Sequence, residues 1–297
     1  MKMPFADFHS DTLTVMSEKG ADLFENGLNF DAKFAQNLDE FLQVFAIFLP
    51  ENLSEKEAKE YYQRNIDYFH NQLNRFSDKV ILVKKREDLK KKGKIKILLS
   101  IENFSFAAEE EIKKVYEDGV RIASLTWNSD NAFAGGALGS GQISENGKKI
   151  IRKMEEIGIT LDLSHLNPKS IDDALKIAKK PVLATHSSSL SIHKNPRNLS
   201  DESYLEIVRR GGVAGVNFHK DFIGPNFDAT AVARHIEHYY KLDENGVVLG
   251  SDFDGADMPN DIRGLRDIGL IFSEIENLGI PIEKLYENAI QFLEKIL

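Results

Sequence analysis

The chain has 297 residues, 42% hydrophobic and 29% charged, a balance that lets a soluble chain bury a large core and excludes a disordered tail, a collagen-like fibre and a coiled coil. With 38 basic residues against 47 acidic ones, the net charge is −9, which speaks against DNA or RNA as partners. There is no cysteine, so disulfides, thiolate zinc sites, iron–sulfur clusters and a cysteine nucleophile are all excluded.

The segment from Met1 to Asp7 holds no apolar run of signal-peptide length, and no stretch approaches about 18 uncharged apolar residues. The expectation is a cytoplasmic enzyme without a membrane partner, since a cysteine-free chain fits a reducing compartment. In chain order, short and nearly continuous apolar runs read as strands at 5–9, 44–49, 95–101, 120–126, 159–164, 182–185, 213–218 and 247–251, the pattern of strands buried on both faces. Amphipathic stretches separate them. Tyr62, Ile66, Phe69, Leu73 and Phe76 step by four and three, which lines one helix face. Residues 144–157, 168–178 and 200–208 read the same way, with Pro168 and Ser200 as helix-start signals. Lys84-Lys85-Arg86 and Lys90-Lys91-Lys92, interrupted by Glu87 and Asp88, read as a solvated helix face. Eight strands alternating with helices give the count of a closed (β/α)8 TIM barrel, read as one domain over 1–297. An open doubly wound sheet is the alternative, but no G-x-G-x-x-G follows the first strand.

Barrel enzymes place their chemistry where strands end. The first strand runs into His9-Ser10-Asp11, and alternation points His9 and Asp11 the same way. Glu102, His165, His186 and Asp252 follow the third, fifth, sixth and eighth strands. Imidazole and carboxylate are the ligands zinc takes when cysteine is absent. Five ligands are too many for one catalytic zinc that keeps an open position. They suit two Zn2+ per chain: His9, Asp11 and Glu102 on one, Glu102, His165 and His186 on the other, with a water or hydroxide held between. Two dications against two carboxylates and one hydroxide leave about one positive charge for a developing oxyanion. Asp252 is the candidate for moving a proton from that water to a leaving amine, whereas Asp254 suits a cap of the turn at Gly255. Arg197, in a loop before a helix, is either a clamp for a substrate carboxylate or a surface arginine. Among the remaining histidines, His219 is a rim residue near the pocket, His235 and His238 orient packing, His70 lies on a surface helix and His193 in a polar loop.

Several segments carry a further signal in order along nearly the whole chain. They are Phe8-His9-Ser10-Asp11-Thr12, Ser100-Ile101-Glu102, Leu125-Thr126-Trp127-Asn128 with Asn131, and Leu161-Asp162-Leu163-Ser164-His165. Thr185-His186-Ser187-Ser188, Pro196-Arg197-Asn198-Leu199-Ser200-Asp201, Gly211-Gly212-Val213 and Gly250-Ser251-Asp252-Phe253-Asp254-Gly255 complete the set. Together they resemble the membrane dipeptidase family, renal-dipeptidase-like zinc metallopeptidases of the amidohydrolase superfamily.

The resemblance implies a two-zinc barrel that hydrolyses dipeptides, with tolerance in relatives for a D-residue on the C-terminal side. By motif it puts His9 and Asp11 on one zinc, His165 and His186 on the other, and Glu102 between them. Asp252 becomes the proton-transfer residue and Arg197 the carboxylate clamp. Relatives are often dimeric, so a homodimer is an expectation; the secretion signal, cysteines and lipid-anchor tail of mammalian members have no counterpart here. One position departs from the pattern. Many relatives carry a histidine that holds the substrate carbonyl where this chain has Trp127 as its substrate-site residue. An indole donates one hydrogen bond and carries no charge, and a lost oxyanion donor costs about 3–4 kcal/mol if nothing replaces it. Two other readings stay open. One is a hydrolase of another amide, a lactone or a phosphoester, although superfamily relatives of that kind bridge their metals with a modified lysine that the 120–126 strand end lacks. The other is a non-catalytic metal-binding relative.

Overall fold

The apolar runs become strands because both of their faces are covered: every residue of β1 (Phe5–Ser10) and of β4 (Ile95–Glu102) is buried. The remaining strands are β2 (Phe41–Phe48), β3 (Val80–Leu82), β5 (Val120–Ser124), β6 (Thr160–Asp162), β7 (Ala214–Val216) and β8 (Val247–Leu249). A computed structural model describes residues 3–297; Met1 and Lys2, which belong to the leader reading and to the 1–297 span, lie outside them. The pairing is parallel throughout, in the order β6-β5-β4-β2-β1-β8-β7. Residues 182–185 close the gap between β6 and β7 through parallel bridges from Asp162 to Leu183 and from Ala184 to Ala214. The ring therefore has eight positions, and the fold is a (β/α)8 barrel.

Two differences from the sequence reading have local causes. The sixth position is not a continuous strand, because the Asp162 carboxylate accepts from the Thr185 N–H at 2.9 Å where a ladder bond would run. β3 was not expected; it is three residues long and pairs with Ile95 to Ile97 of β4, while β5 starts at Leu99 on the same strand. Three apolar residues beside a lysine-rich stretch fall below any pattern threshold. That stretch is exposed at Lys90 to Lys92, but its helix is a single turn, Arg86–Leu89, held by buried Asp88 accepting from the Lys84 and Lys85 N–H groups.

The connecting helices follow the expected caps. Ser54 and Glu57 form a capping box at the head of Glu55–Arg75, whose Tyr62, Ile66 and Phe69 are buried. Ser144 caps Glu145–Ile157, Asn167 caps Pro168–Ile177 with the proline in its first turn, and Ser200 caps Asp201–Arg209. Beneath the rim formed by the strand C-termini, buried Asp7 accepts from Gln43 Nε2 at 2.8 Å and from the Ser251 N–H at 2.7 Å, joining β1, β2 and the end of β8. Among the described residues no helix is long and apolar enough to cross a membrane.

Candidate active site

His9 lies near the end of β1 and Asp11 just beyond it; Glu102 ends β4, and His165, His186 and Asp252 stand in the first turns after β6, the 182–185 segment and β8. Because the strands run parallel, all six side chains reach one rim, and all are buried. Glu102 divides its oxygens: Oε2 lies 3.2 Å from His9 Nε2 and Oε1 lies 2.7 Å from His165 Nε2. His9 Nε2 is also 3.5 Å from Asp11 Oδ2 and 3.8 Å from Asp252 Oδ1. His165 Nε2 and His186 Nε2 face each other at 2.9 Å.

The proton positions on those two rings follow from their other nitrogens. His165 Nδ1 donates to Asn128 Oδ1 at 3.0 Å. Thr185 Oγ1 gives its hydrogen to Asp162 Oδ2 at 2.5 Å and so accepts from His186 Nδ1 at 2.7 Å. Both Nε2 atoms then carry lone pairs aimed into the same 2.9 Å gap, a repulsive contact unless a cation lies beside it. His9 Nε2 and Asp11 Oδ1 are likewise buried without a hydrogen-bond partner, which costs about 1–3 kcal/mol per group if left so. This donor set, three imidazole nitrogens with the unpaired Asp11 Oδ1 and the Glu102 oxygens beside them, fits zinc.

The electrostatics agree at the His165–His186 pair, whereas at His9 burial is outweighed by the adjacent Asp11 and Glu102, which push the imidazole up. Burial pushes the His165 and His186 imidazoles down, toward the neutral form that binds metal. Burial opposes ionisation of Glu102, but the adjacent His165 and His9 outweigh it and hold the carboxyl below its usual range. Asp11 is pushed up to about 7 by burial and by the charge of Glu102.

Asp252 is oriented by Asn217, whose Nδ2 donates to Oδ2 at 2.9 Å, leaving Oδ1 toward His9. His9, Asp11 and Asp252 offer atoms within 4.8 Å of one another, as do His9, Glu102 and His186. Asp252 thus belongs to one of the groups of buried donors close enough to share a cation. His165 and Asp252 both adopt positive φ, 68° and 63°, a conformation that surrounding contacts must hold and that clusters at functional sites. Asp254 has a structural part: it accepts from Thr12 Oγ1 at 2.6 Å and from the Asn29 N–H at 2.7 Å.

These residues open into a cavity of about 370 Å³. Arg197 is buried in its wall, with Nη2 donating to the His186 carbonyl at 3.3 Å, its guanidinium 5.5 Å from the Phe222 ring, and Nε without a partner. Trp127 lines the same cavity, edge-on to Phe48 at 5.3 Å and 6.1 Å from the His165 ring. His219 also reaches it, with Nδ1 accepting from the Asp221 N–H at 3.4 Å. His235 and His238 do not: the first accepts the Ser189 N–H at 2.9 Å and the second pairs with Asp201 at 2.8 Å. Of the expected site residues, Asp11, Glu102, Trp127, His165, Arg197 and Asp252 line this cavity, and His9 and His186 sit behind it, 3.2 Å from Glu102 and 2.9 Å from His165 respectively. Sequence reasoning missed Asn217, Asn128, Thr185 and Asp162 as orienting groups, because a single asparagine or threonine near a strand end carries no signal of its partner.

Residues 1–291 match the family model described as membrane dipeptidase, peptidase family M19. The chain belongs to the membrane dipeptidase family. An uncharacterised dipeptidase of Schizosaccharomyces pombe is 33% identical over 190 residues, covering 60% of this chain and 46% of that protein. The dipeptidase verJ of Clonostachys rogersoniana is 30% identical over 233 residues, covering 73% of this chain and 59% of that one. The chain spans about half the length of the first of these curated relatives. A metallopeptidase of Rhodobacter sphaeroides, solved with a phosphinate mimic of the dipeptide L-Ala-D-Ala, superposes with a TM-score of 0.92 at 20% identity over 100% of both chains. At that identity the likeness shows the shared barrel fold.

Proposed function

We propose that this member of the membrane dipeptidase family is a zinc-dependent dipeptidase with two ions per chain. His9 and Asp11 would hold one ion, His165 and His186 the other, and Glu102 would serve both. The observation that carries this reading is the division of the Glu102 oxygens, 3.2 Å from one histidine nitrogen and 2.7 Å from another, beside the facing lone pairs of His165 and His186. When bound, the zinc pair supplies Lewis acidity and a water acidic enough to ionise near neutral pH.

The chain's own groups do the rest. Asp252 Oδ1, fixed by Asn217, accepts the proton released by the attacking water and delivers it to the departing amine. Arg197 binds the substrate's C-terminal carboxylate with the face it does not give to the His186 carbonyl. Family membership supports a dipeptide as the substrate. The indole of Trp127 supplies a wall where many relatives supply a histidine donor.

The test is metal content followed by a panel of L-L, L-D and glycine-containing dipeptides with zinc restored. About two zincs per chain with dipeptide cleavage is the expected result. Two zincs with turnover only of a lactone or phosphotriester would move the reading to that substrate class, and metal without turnover would make the chain a binding protein.

A further inference from the structure

We infer that this cavity contains a subsite selecting dipeptides whose N-terminal residue bears a long cationic side chain, with Glu18 as the specificity-determining residue. The inference rests on the dipeptidase reading above. Around the barrel, β2 lies opposite the 182–185 position, with three positions between them on either side. Arg197 comes from the loop after 182–185, so a dipeptide whose carboxylate meets Arg197 extends its N-terminal half toward the β1–β2 arc.

That arc is built for a particular side chain. Asp11, Thr14, Val15 and Glu18 all line the cavity, and they are spaced i, i+3, i+4 and i+7, the spacing of one helix face. The helix Thr12–Lys19 therefore runs along the cavity, carrying Glu18 about 10 Å beyond Asp11 at 1.5 Å per residue. Glu18 Oε1 accepts from Tyr61 Oη at 2.7 Å, and Tyr61 lines the same cavity with the Arg64 guanidinium over its ring at 4.6 Å. Glu18 is thus an exposed residue whose carboxylate is held in place by Tyr61. Phe48 and Trp127 line the same cavity as an aromatic wall, edge to face at 5.3 Å. Aromatic faces followed by a carboxylate suit an alkyl stem with a cationic end, lysine or arginine.

The experiment compares kcat/KM for Lys-Ala and for its neutral counterpart norleucyl-Ala, in wild type, Glu18→Gln and Glu18→Lys, with zinc present. Wild type should favour Lys-Ala, the ratio should fall roughly fivefold in Glu18→Gln, as loss of a part-exposed ion pair predicts, and Glu18→Lys should favour Glu-Ala over Lys-Ala. A ratio equal in all three proteins overturns the subsite while leaving the dipeptidase standing. A wild type that cleaves none of these dipeptides overturns the dipeptidase reading, and the subsite with it.

Discussion

A carboxylate is the most testable residue in this site because its charge can be removed without moving the backbone. Asp252 sits at φ 63°, a conformation asparagine tolerates better than most residues, and its Oδ2 partner Asn217 can still donate to an amide oxygen. Asp252→Asn should therefore keep both zincs while kcat falls by about 10²–10⁴; metal analysis beside steady-state kinetics checks both halves. Full activity would remove the proton-transfer role. Arg197 should report through the substrate: Arg197→Ala should raise KM for free dipeptides far more than for the C-terminal amides, and equal losses on both would remove the clamp. Gly255 is a different kind of requirement. A Cβ there would stand 1.9 Å from Asp11 Oδ2 and 2.8 Å from Asp252 Oδ1, so Gly255→Ala should displace Asp11 and lower zinc content. At this scale the metal-binding candidates were legible, because histidines and carboxylates at strand ends are rare and conspicuous. Gly255 was not, since its constraint is the side chain of a residue 244 positions earlier.

Elements were legible wherever burial alone decides them. The β1, β4 and β5 runs are apolar because both faces are covered, and the caps at Ser144 and Ser200 can be read directly. The 182–185 segment fails as a strand for a reason outside its own residues, the Asp162 carboxylate that takes the Thr185 N–H. The loop that follows it, carrying His186, is pinned from behind by His235 on the helix Ala229–Leu242, which accepts the Ser189 N–H at 2.9 Å. Burial pushes the His235 imidazole down to about 4, below its ordinary value of about 6.5. As pH falls through 6.5 the unfolded chain takes up a proton that the folded chain refuses, so stability declines toward pH 4 and levels off below it. The loss from this group is about 3 kcal/mol at most. His235→Asn keeps an acceptor for Ser189 but does not titrate. Urea unfolding at pH 7 and pH 4.5, in chelator, should show a smaller pH dependence in the variant than in wild type; identical dependence would mean that His235 is charged in the fold.

The whole molecule couples its metal site to its stability. Strand ends from around the ring, β1, β4, β6, 182–185 and β8, all contribute to one cluster, so a cation bound there ties distant parts of the chain together. Without it, Asp11, Glu102 and Asp252 are buried carboxylates close to one another, and the fold carries both their burial and their mutual repulsion, visible in Asp11 being pushed up to about 7. An ion that binds only the folded chain stabilises it by about 4 kcal/mol when present at a thousand times its dissociation constant. For a chain of this size each kcal/mol moves the unfolding midpoint by about 2–4 °C. Removing zinc with a chelator should therefore lower the midpoint by roughly 10 °C, and adding zinc back should restore it. Glu102→Gln should erase most of that difference, because the residue shared by both proposed ions is gone, whereas Asp252→Asn should retain it. A melting temperature that ignores chelator in the wild type would mean that no ion links these strand ends.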